Sequence, residues 1–280
     1  MADEAKPTRV AVVQLCATPE VNDNLATVER LVKEACHQGA TVAFIPEAFA
    51  FLGPEKIKST ILESLPEDPD ATGGPILERC RRLAREQGCD LVLGGFHESS
   101  DDPAMSYNTC LHLSADGGIR ARYRKIHLFD VSLSDGTQLR ESSRTLAGNE
   151  LVTTELPFGT LGLSVCYDLR FPYLYQSLVD QGAIALTVPS AFTATTGAAH
   201  WHVMLRARAI ECQSYVIAPA QHGHNWGKRY SYGHSLIIDP WGEIIAECHD
   251  GDGVGIAEID PARVLQVRAD LPSLRHRLSI

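Results

Sequence analysis

A cysteine that directly follows an apolar segment is the first candidate nucleophile in the chain. Cys166 comes after the apolar residues 161–165 and before a polar run that begins at Tyr167. Because ligands of α/β folds usually bind at the carboxyl ends of strands, a thiol there is placed to attack a bound carbonyl. The backbone N–H of Tyr167 can then stabilise the oxyanion. Taken alone, Cys166 also suits a buried structural role, which we favour for the other seven cysteines.

Glu47 is a candidate general acid and base. It follows the apolar residues 41–45 and Pro46, and apolar residues come directly after it. Partial desolvation at such a position is expected to raise the pKa of a carboxyl group towards the range useful in proton transfer. A salt bridge in a loop explains the same pattern.

Lys125 could supply positive charge to a nearby thiol. It comes just after residues 119–123, the second strand of a predicted hairpin. An ammonium beside a thiol favours the thiolate and stabilises negative charge on a tetrahedral intermediate. Glu141, in a stretch without periodicity, is a candidate second acid. Both residues equally suit a solvated surface.

The 11 histidines leave other chemistries open. His200 and His202 stand two residues apart, as do His222 and His224, but no cysteine or carboxylate pair accompanies them at structural-zinc spacing. Nothing singles out one histidine as the partner in a papain-like Cys–His–Asn site. The sequence therefore predicts no metal site and no cofactor.

The elements that must position these side chains alternate between strands and helices. Strands are predicted at residues 9–15, 41–45, 91–96, 107–113, 119–123, 162–165, 183–188, 215–220, 235–238, 243–247 and 254–259. Helices are predicted at residues 25–35, after an asparagine cap, and at 76–87, 171–181, 200–213 and 261–269. Residues 127–149 and 222–226 are expected to be irregular. This order favours an α/β layered domain with mixed sheets, and no linker divides it. We expect a single domain over residues 1–280 with its core at about 9–270.

Composition excludes several functional classes. The chain has 280 residues, of which 44% are hydrophobic and 21% charged, as is usual for a globular enzyme. Its net charge of −10 opposes binding to nucleic acid or anionic membranes. The polar start lacks a secretory signal, no apolar run is long enough to span a membrane, and the eight cysteines form no CxxC pair. We expect a cytoplasmic protein with reduced thiols and a small-molecule substrate.

Three separated segments together resemble the nitrilase superfamily of carbon–nitrogen hydrolases. They are residues 44–47 (FIPE), 123–130 (YRKIHLFD) and 162–172 (GLSVCYDLRFP). The superfamily uses a glutamate, a lysine and a cysteine in that chain order, so the resemblance assigns these roles to Glu47, Lys125 and Cys166. It assigns a supporting carboxylate to Glu141. It also implies a four-layer αββα sandwich with two mixed β-sheets, and a homodimer or higher homo-oligomer.

Within the superfamily, the chain resembles the Nit branch. True nitrilases carry Trp-Glu after the cysteine, whereas here Tyr-Asp follows, and residues 189–192 (PSAF) and 239–242 (DPWG) agree with that branch. The later motifs are more similar to amidases of deaminated glutathione than to omega-amidases. The resemblance then implies hydrolysis of deaminated glutathione to 2-oxoglutarate and cysteinylglycine, a metabolite-repair reaction, through a thioester at the cysteine. By the same resemblance Arg170 binds the oxo-acid carboxylate, and Phe192 and Thr196 line the pocket. A salt bridge to Asp168 is the alternative for Arg170.

Three other functions stay open. An omega-amidase would act on 2-oxoglutaramate or 2-oxosuccinamate by the same chemistry. A carbamoylase or aliphatic amidase would not need an oxo-acid carboxylate. A catalytically idle interaction module would keep the fold alone, although the retention of all three candidate catalytic residues argues against it.

Overall fold

The computed structural model describes residues 5–68, 71–132 and 138–278, and every element below lies in these ranges. The strands are β1 (Thr8–Leu15), β2 (Val42–Ile45), β3 (Asp90–Ser99), β4 (Ser106–Leu113), β5 (Ile119–Arg124), β6 (Asp130–Ser132), β7 (Gln138–Arg140), β8 (Thr153–Leu156), β9 (Gly159–Gly162), β10 (Ala185–Thr187), β11 (Tyr215–Ala218), β12 (Ala220–Trp226), β13 (Arg229–Tyr232), β14 (Leu236–Ile238), β15 (Ile244–Glu247) and β16 (Gly253–Ile259). The helices are α1 (Val21–His37), α2 (Glu55–Lys58), α3 (Pro75–Gln87), α4 (Pro172–Asp180), α5 (Ala194–Cys212) and α6 (Pro261–Asp270). Short 3-10 turns cover Glu141–Ser143, Cys166–Arg170 and Ser273–His276.

Two mixed sheets form the inner layers. The larger sheet has the strand order β13-β12-β1-β2-β3-β4-β5, with β16 antiparallel to β1. The smaller sheet has the order β15-β14-β11-β10-β9-β8. Strands β1, β2 and β3 are parallel, as are β9, β10 and β11, and antiparallel strands flank both groups. The parallel strands at the centre of each sheet therefore all end at the same edge of that sheet.

Alternating side chains of the larger sheet serve two cores. Val12 and Phe44 face the smaller sheet and belong to the core cluster that includes residues of α4 and α5. Val13 and Ile45, their neighbours on adjacent strand positions, face the opposite side and pack with residues of α1 and α3. Because successive strand residues point to opposite faces, the larger sheet packs against one hydrophobic core on each side. The result is the four-layer αββα sandwich that the resemblance implied.

Helix boundaries follow the sequence at α3 but not at α1. Pro75 occupies the first turn of α3, and Gly88, with φ +59°, ends it in the left-handed conformation, as predicted. The predicted asparagine cap of α1 is wrong. The helix begins at Val21, and the Asn24 side chain donates instead to the carbonyl of Ala50, tying the helix to the chain after β2.

Four predicted segments have a different structure. The predicted strand 162–165 is wrong in extent, since β9 ends at Gly162. The predicted strand 215–220 is two strands in different sheets, β11 and β12, separated by Pro219, which has no N–H for a ladder. Residues 222–226, expected to be irregular, belong to β12, which pairs with β1 and β13. The irregular stretch 127–149 contains the β6–β7 hairpin, and its residues 133–137 lie outside the described ranges.

In the described part of the chain, we find no helix with the length and apolar character that crossing a bilayer requires.

Candidate active site

Cys166 occupies a strained turn between the two sheets. It opens the 3-10 turn Cys166–Arg170, and its φ of +50° is in the left-handed region that L-residues rarely adopt. Its N–H donates to the carbonyl of Pro189 at 3.0 Å, and the residue is 7% exposed. Tyr167 is the second residue of this turn, so its N–H has no acceptor within the turn itself. The turn thus places the Cys166 thiol next to the backbone N–H of Tyr167.

Glu47 lies beside that thiol and is held by three donors. Its Oε1 accepts hydrogen bonds from Lys125 Nζ at 3.1 Å and from Asn108 Nδ2 at 2.9 Å. Its Oε2 accepts one from the Ala191 N–H at 2.8 Å. The Glu47 carboxylate also lies close enough to the Cys166 thiol to raise its pKa. The candidate base and the candidate nucleophile are therefore neighbours in the site.

Lys125 is a buried ammonium shared by two carboxylates. Besides Glu47, it donates to both oxygens of Glu141, at 2.9 and 3.2 Å. Glu141 is fixed in turn by the Phe129 N–H, which donates to its Oε2 at 2.7 Å. A net charge of −1 remains for the two carboxylates and one ammonium, which explains why all three tolerate this burial. The structure thus brings together Glu47, Lys125, Glu141 and Cys166.

Asn108, on β4, is a site residue that the sequence analysis missed. Its Nδ2 donates both to Glu47 Oε1 at 2.9 Å and to Glu141 Oε1 at 3.0 Å. Its carbonyl accepts from the Lys125 N–H at 2.9 Å. A register shift between His112 and Leu113 sets the pairing that brings Asn108 beside Lys125, so this neighbour was not predictable from the hairpin pattern.

The pKa values in the site depend on the balance between burial and neighbouring charges, and the pKa of Glu47 differs from expectation. Burial acts to raise the pKa of Glu47, but the Lys125 ammonium and hydrogen bonds from neighbouring side chains outweigh it, so this pKa is lowered. Burial raises the pKa of the Cys166 thiol, and Glu47 raises it further, against the opposing effect of Lys125. Burial acts to lower the pKa of Lys125, but Glu141 and Glu47 outweigh it and hold this pKa well above its usual range. The expected raised pKa of Glu47 is wrong. Lys125 lowers the pKa of Cys166, as expected, but burial and Glu47 outweigh this effect.

Asp168 connects the nucleophile turn to the segment that carries Lys125. Its fully buried carboxylate accepts from the Val165 N–H at 2.9 Å and from the Tyr123 hydroxyl at 2.8 Å. It also accepts from the His127 N–H at 3.0 Å. Because Tyr123 and His127 flank Lys125 in the chain, this carboxylate fixes the position of Lys125 relative to Cys166.

The predicted pocket residues lie on the α5 side of the nucleophile turn. The Arg170 guanidinium contacts His200 Nδ1 at 3.3 Å and lies 5.6 Å from the centre of the Phe192 ring. The alternative salt bridge to Asp168 is wrong, since other groups occupy that carboxylate. Phe192 is buried against Trp201, with 5.0 Å between ring centroids. The Thr196 hydroxyl bonds to Thr193 in the first turn of α5, so the structure gives it no contact with Cys166 or Glu47.

Two more residues near Glu47 were missed. Gln221 Nε2 donates to the backbone carbonyl of Glu47 at 2.9 Å, which anchors the chain at that residue. Arg229, the first residue of β13, donates to the carbonyl of Ala191. In the sequence Arg229 follows Gly227 and Lys228 and has the pattern of a solvated turn, so only the tertiary structure reveals its position.

A separate cluster has the side chains to hold a metal ion. His202, His234 and Glu247 have ligand atoms within 4.8 Å of one another, the only such group among residues 5–68, 71–132 and 138–278. Glu247 Oε1 contacts both imidazoles, at 2.8 and 3.0 Å. The cluster shares no residue with the Cys166 site. Of the other paired histidines, His222 contacts Asp252 and His224 contacts the carbonyl of Gly227.

Comparison with known proteins agrees with this geometry. Residues 9–269 match the carbon-nitrogen hydrolase family. The chain is 44% identical over 272 residues to human "Deaminated glutathione amidase", covering 96% of this chain and 81% of that protein. The crystal structure of the C. elegans NitFhit protein has a TM-score of 0.90 and 38% identity, covering 98% of this chain and 65% of that one. Saccharomyces cerevisiae Nit3, described as a member of branch 10 of the nitrilase superfamily, has a TM-score of 0.86 and 28% identity, with 95% of each chain covered. The fold and these matches establish that the chain belongs to the carbon-nitrogen hydrolase family.

Proposed function

We propose that this chain is an amidase that hydrolyses deaminated glutathione to 2-oxoglutarate and cysteinylglycine. The observation that carries the chemistry is the position of the Glu47 carboxylate, which accepts from the Lys125 ammonium at 3.1 Å and lies close enough to the buried Cys166 thiol to raise its pKa. The substrate is supported by the human relative named above, at 44% identity over 96% of this chain.

The first half of the reaction forms a thioester. Glu47 takes the proton of the Cys166 thiol as the sulfur attacks the amide carbonyl carbon, and the carbonyl oxygen becomes an oxyanion. Lys125 and the Tyr167 N–H stabilise that charge, and loss of one such donor costs about 3 kcal/mol of transition-state stabilisation. The tetrahedral species then collapses, the carbon–nitrogen bond breaks, and Glu47 gives its proton to the departing nitrogen.

The second half releases the acid. Glu47, again a carboxylate, takes a proton from water as the water oxygen attacks the thioester carbonyl. When the carbon–sulfur bond breaks, the proton returns to sulfur and restores the thiol. Throughout, Glu141 and Asn108 keep the Lys125 ammonium and the Glu47 carboxylate in position through the hydrogen bonds described above. They are positioning residues rather than reacting groups.

For substrate binding we propose Arg170, with Phe192 and Thr196 nearby. A planar guanidinium suits the bidentate binding of an oxo-acid carboxylate. The Arg170 guanidinium lies above the Phe192 ring, which places a charge and an apolar wall together. Replacing Arg170 with alanine is expected to raise KM for oxo-acid amides, and an unchanged KM would remove it from this role.

We further propose a homodimer in a reducing, cytoplasmic environment. All eight cysteines are free thiols, which suits a reducing compartment. Val203 and Ile210, seven residues apart on α5, are 70% and 46% exposed, and Trp241 in the adjoining turn is 52% exposed. An apolar helix face of this kind favours association with a second copy.

The experiment that tests the function compares two substrates in parallel. We expect a higher kcat/KM for deaminated glutathione than for 2-oxoglutaramate, and the reverse order would favour the omega-amidase. Cys166→Ala should abolish turnover of both while its circular dichroism and Tm stay close to those of the wild type. In the wild type, rapid quenching and intact-mass spectrometry should show an acyl adduct on Cys166. Near-normal activity of Cys166→Ala would contradict the mechanism.

A further inference from the structure

Arg229 carries a positive charge into the site without an anionic partner. Among the described residues, its guanidinium donates to a neutral acceptor, the Ala191 carbonyl, and its Nε is buried without a hydrogen-bond partner. No carboxylate within the same ranges lies at ion-pair distance from this guanidinium. The side chain as a whole is half-buried, but burial of an unpaired donor is costly, and a ligand that supplies the acceptor would remove that cost.

The guanidinium is adjacent to the reacting groups. A single residue, Ala191, separates it from the candidate base, because the Ala191 carbonyl accepts from Arg229 and the Ala191 N–H donates to Glu47. Burial lowers the pKa of Arg229, while the proximity of Cys166 and Glu47 acts in the opposite direction. A substrate seated on Cys166 therefore lies within the field of this charge.

The carboxylates already in the site do not pair with Arg229. Glu47 accepts from Lys125, Asn108 and the Ala191 N–H. Glu141 accepts from Lys125, Asn108 and the Phe129 N–H. The free donors of the guanidinium are thus available for an anion that enters from outside.

We propose that Arg229 binds a carboxylate of the amide substrate and thereby determines the preference for acidic amides, an inference that rests on the proposed amidase function. A planar guanidinium fork matches a carboxylate in a bidentate manner. Deaminated glutathione offers two such groups, one at its oxo-acid end and one at its glycine end. Both have the chemistry that this residue recognises, and the experiment separates them.

The test measures binding and turnover with matched variants. Arg229→Met removes the charge and keeps much of the apolar stem. Arg268→Met is the control, because Arg268 is a similarly half-buried arginine that hydrogen-bonds only neutral acceptors, the carbonyls of Gln213 and Ala183 and the Ser214 hydroxyl. In the Cys166→Ala background, calorimetry gives Kd for 2-oxoglutarate and for cysteinylglycine, which needs no catalytic activity. In the active enzyme, kcat and KM are measured for deaminated glutathione, 2-oxoglutaramate and the uncharged butyramide.

We expect Arg229→Met to weaken one of the two product ligands by about 10-fold to 100-fold, as the loss of a charged hydrogen bond implies. Weaker 2-oxoglutarate binding, with a raised KM for both acidic amides, assigns the oxo-acid end. Weaker cysteinylglycine binding, with a raised KM for deaminated glutathione alone, assigns the glycine end. Arg268→Met should stay within about twofold of the wild type on every substrate, and Arg229→Met should lose much less kcat/KM on butyramide than on the acidic amides.

Two results would overturn the inference. One is unchanged Kd and KM for every carboxylate ligand. The other is an equal loss of kcat on butyramide and on the acidic amides, which would give Arg229 a structural role through Ala191. The proposed function is tested independently of Arg229, because it fails if the wild type does not hydrolyse deaminated glutathione. In that case the comparison of Kd values still decides the role of Arg229.

Discussion

At the scale of single residues, the resting site is a neutral thiol beside a carboxylate. The raised pKa of Cys166 and the lowered pKa of Glu47 together keep the proton on sulfur until a substrate arrives. The proton then moves to Glu47 as the sulfur attacks, so no free thiolate accumulates. A resting thiol also reacts slowly with oxidants, which follow thiolate character.

These directions predict the pH dependence of catalysis. Glu47 must be a carboxylate to act as base, so kcat/KM should fall only as pH drops below about 4.5, the region below an ordinary glutamate pKa. No change in kcat/KM is expected near pH values of about 8.5, where an ordinary thiol ionises. A profile of kcat/KM from pH 4 to pH 9.5 checks both limbs. An acid limb centred above pH 6 would contradict the lowered pKa.

The same pKa has a consequence for stability. The folded-state pKa of Glu47 is lowered, so its ionised carboxylate adds to the free energy of unfolding. This contribution is fully present above the unfolded-state pKa and is lost as pH falls through the folded-state pKa. Glu47→Gln should therefore flatten the acid side of the curve of unfolding free energy against pH.

Asn108 gives a second prediction at this scale. Asn108→Ala removes the shared donor of Glu47 and Glu141, so we expect kcat to fall about 10-fold to 100-fold with KM nearly unchanged, together with about 1–3 kcal/mol of stability. Asn225→Ala is the control. Its side chain is buried, whereas Asn108 is half-buried, and it bonds to the Ala17 carbonyl and the Ser231 hydroxyl. Steady-state kinetics and urea unfolding should show a stability loss in both variants and a loss of kcat in Asn108→Ala alone.

At the scale of elements, the site depends on where strands end and turn. Glu47 follows β2, Lys125 follows β5 and Cys166 follows β9, so both sheets contribute. Two non-glycine residues with positive φ lie at the site, Ala48 (φ +58°) and Cys166 (φ +50°), in the turns that follow β2 and β9. Such strain persists where the surrounding structure fixes the chain, as the bond from the Ala48 N–H to the Gly95 carbonyl does here.

Gly95 provides a prediction at this scale. Its φ is +62°, and a Cβ there would come within 2.7 Å of Glu47 Cγ and 3.0 Å of Asn108 Oδ1. Gly95→Ala should displace Glu47 and lower kcat/KM about 100-fold. Gly88→Ala is matched in backbone strain, with φ +59°, but meets nothing within 4 Å. Gly88→Ala should lose about 1–2 kcal/mol of stability from backbone strain alone. Gly95→Ala should lose more, because its Cβ also meets the backbone N of Ala48 at 2.7 Å. Equal activities of the two variants would refute the steric argument.

At the scale of the whole molecule, the apolar outer face of α5 controls assembly in our proposal. The turn containing Trp241 lies against this face, since Arg206 Nε donates to the Gly242 carbonyl at 2.8 Å. A charge in the centre of the face should prevent association because it would be desolvated without a partner.

The corresponding prediction concerns Val203. Val203→Glu should yield a monomer by light scattering after size exclusion, whereas the wild type yields a dimer. Leu265→Glu on α6 serves as the control, because Val203 and Leu265 are 70% and 69% exposed. A monomeric wild type would show that there is no such interface. A dimer that survives Val203→Glu and dissociates in Leu265→Glu would place the interface elsewhere.

The sequence by itself determined the fold class, the order of most strands and helices, and the three candidate catalytic residues. Hydrophobic periodicity and turn residues are local signals, so the hairpin β4–β5 and the ends of α3 were predictable. The conjunction of three motifs in order singled out Glu47, Lys125 and Cys166, which no single segment could do. The division of residues 215–226 between two sheets was not predictable, since pairing partners are distant in the chain.

Only the tertiary structure decided the electrostatics and the remaining members of the site. The direction of the Glu47 pKa depends on whether the Lys125 ammonium at 3.1 Å outweighs burial, and that balance is set by distance. Asn108 and Arg229 have no distinctive local context, and they join the site because β4 and β13 bring them beside Glu47. Local propensity thus identifies which residues can react, whereas long-range packing sets their charges and their neighbours.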